Sequence, residues 1–221
     1  MSLEELRNKI DAIDSKILKL LAERAELVLD VAKAKGNNNG HNFIRSGREA
    51  KMLRELVARG AGVFPKPAIY SLWRSIISAS LALENGLQVA LPKNSSLEMH
   101  RLSVEYFGSF TKYHEYESEH EALEKIDKHT VAILSLESGW WLSLGDEKYK
   151  HLKIFARLGE GVFAIGKLQP EESGADKTLA IIDANAHHGH AIATHGKVKL
   201  VEFEGFHTAL NDAVVIGNYG L

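Results

Sequence analysis

Apolar residues open the chain in steps of three and four: Leu3, Leu6, Ile10, Ile13, Ile17, Leu20, Leu21, Leu27 and Val31. That spacing puts them on one stripe of an α-helix. Ser2 and Glu5 have the spacing of a capping box, and no Gly or Pro interrupts the run before Gly36. The pattern predicts one helix of about 33 residues, roughly 50 Å long at 1.5 Å per residue. Such a stripe outruns what the rest of a small domain can cover, so it also predicts a second copy of the chain against it.

Gly36-Asn37-Asn38-Asn39-Gly40 reads as a turn-forming loop. A second helix is expected from Arg48 to Arg59, with Ser46 as its cap and Gly60 and Gly62 as its stop. Beyond Pro65 and Pro67, a third is expected from about Ala68 to the Asn85-Gly86 terminator. From Leu87 the texture changes. Leu87–Leu91, Val131–Leu136, Gly161–Leu168, Thr178–Asp183 and Val198–Phe203 read as strands. Ser95 with Glu98, and Ser118 with Glu121, read as capping boxes that open helices ending near Phe107 and Asp127. The division is therefore an all-α segment 1–86 followed by an α/β domain 87–221.

Composition narrows the choices. The chain has 221 residues, no cysteine and a net charge of −2. Disulfide and thiolate chemistry are excluded, and a reducing cytoplasm is the expected location. The acidic start Met1-Ser2-Leu3-Glu4-Glu5 is unlike a secretory signal, and no apolar run is long enough to span a bilayer. Residues 1–86 carry a balance of +4 and residues 87–221 one of −6. A mildly basic first segment suits a small anionic ligand. No basic run with interleaved aromatics points to nucleic acid.

Candidate chemistry lies in the cations of the first helix. Arg24 and Lys35 are eleven residues apart, about 20° around the axis, whereas Arg7 is about 100° from Arg24. Taken singly, each is an ordinary solvated charge. Their order is more informative. Arg7-x-x-Ile10-Asp11-x-x-Asp14, Leu21-x-Glu23-Arg24, Ala32-Lys33-x-Lys35 and Arg48-Glu49 resemble the all-helical chorismate mutase family over residues 3–86. The resemblance implies an intertwined homodimer of three-helix chains that converts chorismate to prephenate without a cofactor or metal. By the same resemblance Arg7 enters the partner's site and binds one substrate carboxylate, and Arg24 binds the other. Lys35 donates to the ether oxygen, Glu49 holds the ring hydroxyl beside Arg48, and Ser80 and Glu84 complete the ligand set. Two positions depart from the common pattern. Arg45 stands where many relatives have aspartate, and Glu84 where many have glutamine. Ser46-Gly47-Arg48-Glu49 is also a capping box, so Glu49 has a structural role open to it as well.

The opening strand of the second domain, Glu121–Ile126 and Val131–Ser138 resemble, more weakly, the prephenate dehydratase domain, a binding-protein-like α/β fold. Its Thr-Arg-Phe triplet is missing, as is the Glu-Ser-Arg-Pro motif of its regulatory domain, and 135 residues is short for the catalytic domain. A degenerate domain with a binding or structural role is expected, with an aromatic amino acid as candidate effector. Two alternatives remain open for the whole chain: a ligand-sensing protein dimerised by a mutase-like core, and a bifunctional mutase–dehydratase. His187-His188-Gly189-His190 reads as a surface turn rather than a metal site. Trp140-Trp141 reads as core in preference to a cleft.

Overall fold

In the computed structural model, residues 1–35 and 44–221 are described, so the loop expected at Gly36–Gly40 lies outside the described residues. The chain divides into two compact units, Met1–His41 and Asn42–Leu221.

The first unit is one helix, α1 (Leu3–Lys35). The capping box closes as the spacing predicts: Ser2 N–H donates to Glu5 Oε2 at 2.7 Å, and Glu5 N–H donates to Ser2 Oγ at 3.1 Å. The apolar stripe is exposed, with Leu6, Ile10, Ile13 and Ile17 between 44% and 57% accessible.

The second unit begins with α2 (Ser46–Arg59) and α3 (Lys66–Asn85). The start of α2 corrects the expected cap. Arg45 occupies the N-cap position, no side chain caps the helix, and Ser46 is already helical and buried. Helix α3 ends where its sequence says, on Gly86 in the left-handed region (φ 64°, ψ 48°), whose N–H bonds Ala82 O at 3.0 Å. Then come β1 (Gln88–Pro92), α4 (Leu97–Phe107), β2 (Lys112–Tyr116), α5 (Glu119–Glu124) and β3 (Thr130–Ser135), followed by a 3₁₀ segment Gly139–Gly145. The rest is β4 (Lys153–Gly159), β5 (Val162–Gly166), β6 (Asp176–Asp183), β7 (His190–His195), β8 (Val198–Glu204) and β9 (Val214–Gly220). The cap of α4 is Ser96, which accepts from Met99 N–H at 3.1 Å, not Ser95 as expected. Ser118 does cap α5, accepting from Glu121 N–H at 3.2 Å.

The nine strands among the described residues join one sheet in the order β2-β1-β3-β5-β4-β9-β6-β8-β7. Strand β1 runs parallel to β2 and β3, as β–α–β crossovers require, and the remaining neighbours are antiparallel except β4 with β9. The period-2 alternation of strands sorts side chains to two cores. Val89, Leu91, Ile133 and Phe155 face one, together with Leu53 of α2, Ile77 and Leu81 of α3, and Phe107 of α4. Ala90, Leu134, Ile154 and Phe163 face the other, which holds Trp140 and Trp141. The tryptophans are thus core residues, and Trp140 Nε1–H donates to Ser135 O at 2.5 Å. His187 and His188 lie exposed in the turn between β6 and β7, and His190 begins β7. Among the described residues no group of three or more His, Cys, Asp or Glu could hold a metal ion. Among the same residues no helix is long and apolar enough to cross a membrane.

Helices α2 and α3 share their core with the sheet, and α2 lies close against it. A Cβ at Gly47 would collide with the backbone of Glu171, and one at Gly220 of β9 would collide with Ala50. Only glycine permits these approaches. Arg54 of α2 adds hydrogen bonds to Ser173 O at 2.6 Å and Leu221 O at 2.8 Å.

Candidate active site

On α1, Arg7 is exposed and Arg24 is half-buried. Lys35 is the last residue of the helix, and its side chain is outside the described part. Seventeen residues separate Arg7 from Arg24, about 26 Å of helix axis. One small dicarboxylate cannot reach both from the same copy of α1.

Within the second unit, Arg48 is exposed on the first turn of α2 and the neighbouring Glu49 is buried. The capping box expected between Ser46 and Glu49 does not form. The Glu49 carboxylate instead accepts from Arg74 Nη2 at 2.9 Å, while Glu49 N–H bonds Arg45 O at 2.9 Å. The partner is the reason. Arg74 comes from the inner face of α3, is 1% exposed, and stacks 4.2 Å from the ring centroid of Tyr106. A guanidinium so buried requires a counter-charge, and Glu49 supplies it. Burial disfavours the charged form of Arg74, but Tyr106 and Glu49 more than offset this and leave its pKa above the ordinary value. Burial also disfavours the charged form of Tyr106, which raises its phenol pKa. Ser78 ties this corner together, donating to Arg74 O at 2.9 Å and to Tyr106 O at 2.8 Å through a shared hydroxyl.

Ser80 and Glu84 are both half-buried on α3, one turn apart. Ser80 Oγ donates to Ile76 O at 2.8 Å, a bond that holds the hydroxyl along the helix. Arg45, the departure from the family pattern, has a partner in the second domain: its Nε–H donates to Glu171 Oε1 at 2.9 Å. The second unit therefore carries Arg48, Glu49, Ser80 and Glu84, and α1 carries Arg7, Arg24 and Lys35.

Sequence reasoning missed Arg74. It was detectable: Arg74 lies three and seven residues before Ile77 and Leu81, inside the apolar stripe of α3. A charge at such a position implies a buried partner.

Comparison with known proteins bears on this region. Residues 6–85 match the family model described as chorismate mutase type II. Curated relatives are each described as a bifunctional chorismate mutase/prephenate dehydratase. The one from Aquifex aeolicus is 35% identical over 115 residues, 50% of this chain and 32% of its own length. That from Pseudomonas aeruginosa is 33% identical over 111 residues, 48% and 30% of the two chains. That from Buchnera aphidicola is 42% identical over 88 residues, 39% and 22% of the two chains. The match thus spans at most about a third of the length of these relatives.

Proposed function

From a chain whose residues 6–85 are a helical chorismate mutase type II domain, followed by a mixed α/β sheet domain, we propose an enzyme that rearranges chorismate to prephenate. The observation that carries this reading is the family match over 6–85, with Arg7, Arg24, Lys35, Arg48, Glu49, Ser80 and Glu84 all inside it. Residues 1–86 are the catalytic part in this proposal, and 87–221 a binding or structural part.

The chemistry needs little machinery. The rearrangement is unimolecular and pericyclic, so the protein accelerates it by holding the reactive chair-like conformer and stabilising negative charge on the ether oxygen as the C–O bond lengthens. Arg24 and the partner's copy of Arg7 bind the two carboxylates, for which planar guanidinium forks are suited. Lys35 and Glu84 donate to the ether oxygen. Glu84 can donate there only when protonated, since a carboxylate has no proton to give. Glu49 and Arg48 hold the ring hydroxyl, and Ser80 lies one turn from Glu84. The Arg74 guanidinium orients Glu49 for that task.

A homodimer belongs to the same proposal. It is supported by the exposed stripe of α1 and by the axial distance between Arg7 and Arg24, which assigns them to one substrate only if two chains contribute. A cytoplasmic setting suits the cysteine-free chain. The relatives' dehydratase activity is the second reading, favoured by their names and opposed by the missing Thr-Arg-Phe triplet.

One experiment separates the readings: incubate the purified protein with chorismate and identify the product. Prephenate alone is expected. Phenylpyruvate would establish the bifunctional reading. Unchanged chorismate with a folded protein would overturn the mutase and leave a ligand-sensing role.

A further inference from the structure

A single hydrogen bond joins the side chains of Glu49 and Arg74. Arg74 Nη2 donates to Glu49 Oε2 at 2.9 Å, and the buried Nε–H of Arg74 has no acceptor among the described residues. A two-point fork would by itself fix how guanidinium and carboxylate face each other, but one bond leaves that angle free. Another contact must set the direction in which Arg74 presents Nη2.

Tyr106 of α4 makes that contact. All the N–H donors of a guanidinium lie in one plane, so a ring seated against that plane limits where they point. Arg74 Cζ lies over the Tyr106 ring, 4.2 Å from its centroid, and Arg74 is 1% exposed. The ring is anchored in turn. Ser78 Oγ donates to both Tyr106 O and Arg74 O, which ties α4 to α3 at this level. The next residue, Phe107, is fully buried in the core that α2 and α3 share with the sheet. Glu49 and Arg74 lie inside the family match over 6–85, whereas Tyr106 lies beyond it, in the α/β domain.

We propose that Tyr106 is a positioning residue for the mutase reaction: through Arg74 it aims Glu49, and so sets selectivity for the ring hydroxyl of the substrate. The proposal rests on the reading of Glu49 as the acceptor of that hydroxyl. Arg74 occupies Oε2, which leaves Oε1 to accept the hydroxyl proton. Hydrogen bonds weaken steeply once bent, so a carboxylate turned off its line loses the hydroxyl while keeping its charge. The α/β domain thereby takes part in substrate choice without touching the substrate.

The test compares two substrates in the full chain: chorismate, and an analogue with hydrogen in place of the ring hydroxyl. The quantity read is the ratio of their kcat/KM values. Partial unfolding removes active protein and lowers both rates by one factor, so it cancels from the ratio. Glu49→Gln is expected to lower the preference for chorismate roughly tenfold. Tyr106→Leu, which removes the ring face, should lower it about fivefold or more, and Tyr106→Phe, which keeps the face, should restore it. In the Glu49→Gln background Tyr106→Leu should change the ratio little further, because both act on one contact. A Tyr106→Leu protein that is slower on both substrates by the same factor would overturn the proposal and leave the mutase reading standing. So would a Tyr106→Phe protein as unselective as Tyr106→Leu. An unchanged ratio in Glu49→Gln would remove Glu49 from hydroxyl recognition, and Tyr106 with it. A folded wild-type chain that turns over neither substrate would overturn the mutase reading itself, and this proposal with it.

Discussion

Helix α1 and the pair α2–α3 belong to one family match, and both carry an apolar stripe of helical period, but the stripes have different fates. Leu6, Ile10, Ile13 and Ile17 of α1 are at least 44% exposed, whereas Leu53, Ile77 and Leu81 of α2 and α3 are at most 6% exposed. The chain's own sheet covers the second set through Val89, Leu91, Ile133 and Phe155, together with Phe107 of α4. Nothing comparable lies on α1 within its own unit, and in the proposed homodimer a second chain covers its stripe. Within one family match the same hydrophobic problem thus has two answers: cover from the sheet domain, and cover from a proposed partner. A helical segment that shares a core with its neighbour is mechanically tied to it, even if the proposed chemistry belongs to only one of them.

The strongest way to break this comparison is to remove the sheet. A chain truncated after Gly86 exposes Leu53, Ile77 and Leu81, each worth about 1.5–3 kcal/mol when buried, and strips Tyr106 from Arg74. It is expected to lose the cooperative thermal transition of α2 and α3, followed by circular dichroism and hydrogen exchange. A truncated chain that melts within a few degrees of the full protein would show that dimerisation alone covers those faces.

Next in size is the ion pair that joins α2 to α3. Glu49→Ala leaves a buried guanidinium uncompensated and is expected to cost about 3–5 kcal/mol in denaturant unfolding. The double change Glu49→Leu with Arg74→Met removes both charges and should recover most of that loss. If the single and double variants are equally unstable, packing rather than the pair holds the helices together.

A third measurement addresses α1. Arg7→Ala and Arg24→Ala dimers are each expected to be nearly inactive. After subunit exchange the mixture should recover towards about a quarter of the wild-type rate, because half the dimers are mixed and each has one intact site. No recovery after demonstrated exchange would remove the shared site and leave the α1 stripe with a different purpose. The smallest effect belongs to Arg45. Its pair with Glu171 is half-exposed, so Arg45→Ala is expected to change stability by no more than about 1 kcal/mol. A larger loss would mean that this contact, more than the shared core, docks α2 on the sheet domain.

Much of this architecture was legible along the chain. The 33-residue length of α1, its Ser2–Glu5 cap, the Gly86 stop of α3 and the Ser118 cap of α5 all depend on neighbours within a few residues, and local spacing carries such information. The strands were less visible. Lys112–Tyr116 and His190–His195 are the two edges of the sheet, half-exposed and polar, so they lack an apolar alternation to announce them. The candidate ligand set was readable from ordered motifs, but the state of its members was not. The sequence of Ser46-Gly47-Arg48-Glu49 satisfies a capping box, and that box does not form because Arg74, 25 residues further on, is buried and draws Glu49 to it. The Arg45 departure likewise gains its meaning only from Glu171, 126 residues away. Local order therefore determined which helices form and which cations they present. Burial, which no short stretch of sequence contains, decided which of the charges must pair and with whom, because an unpaired charge is tolerated in water and not in a core.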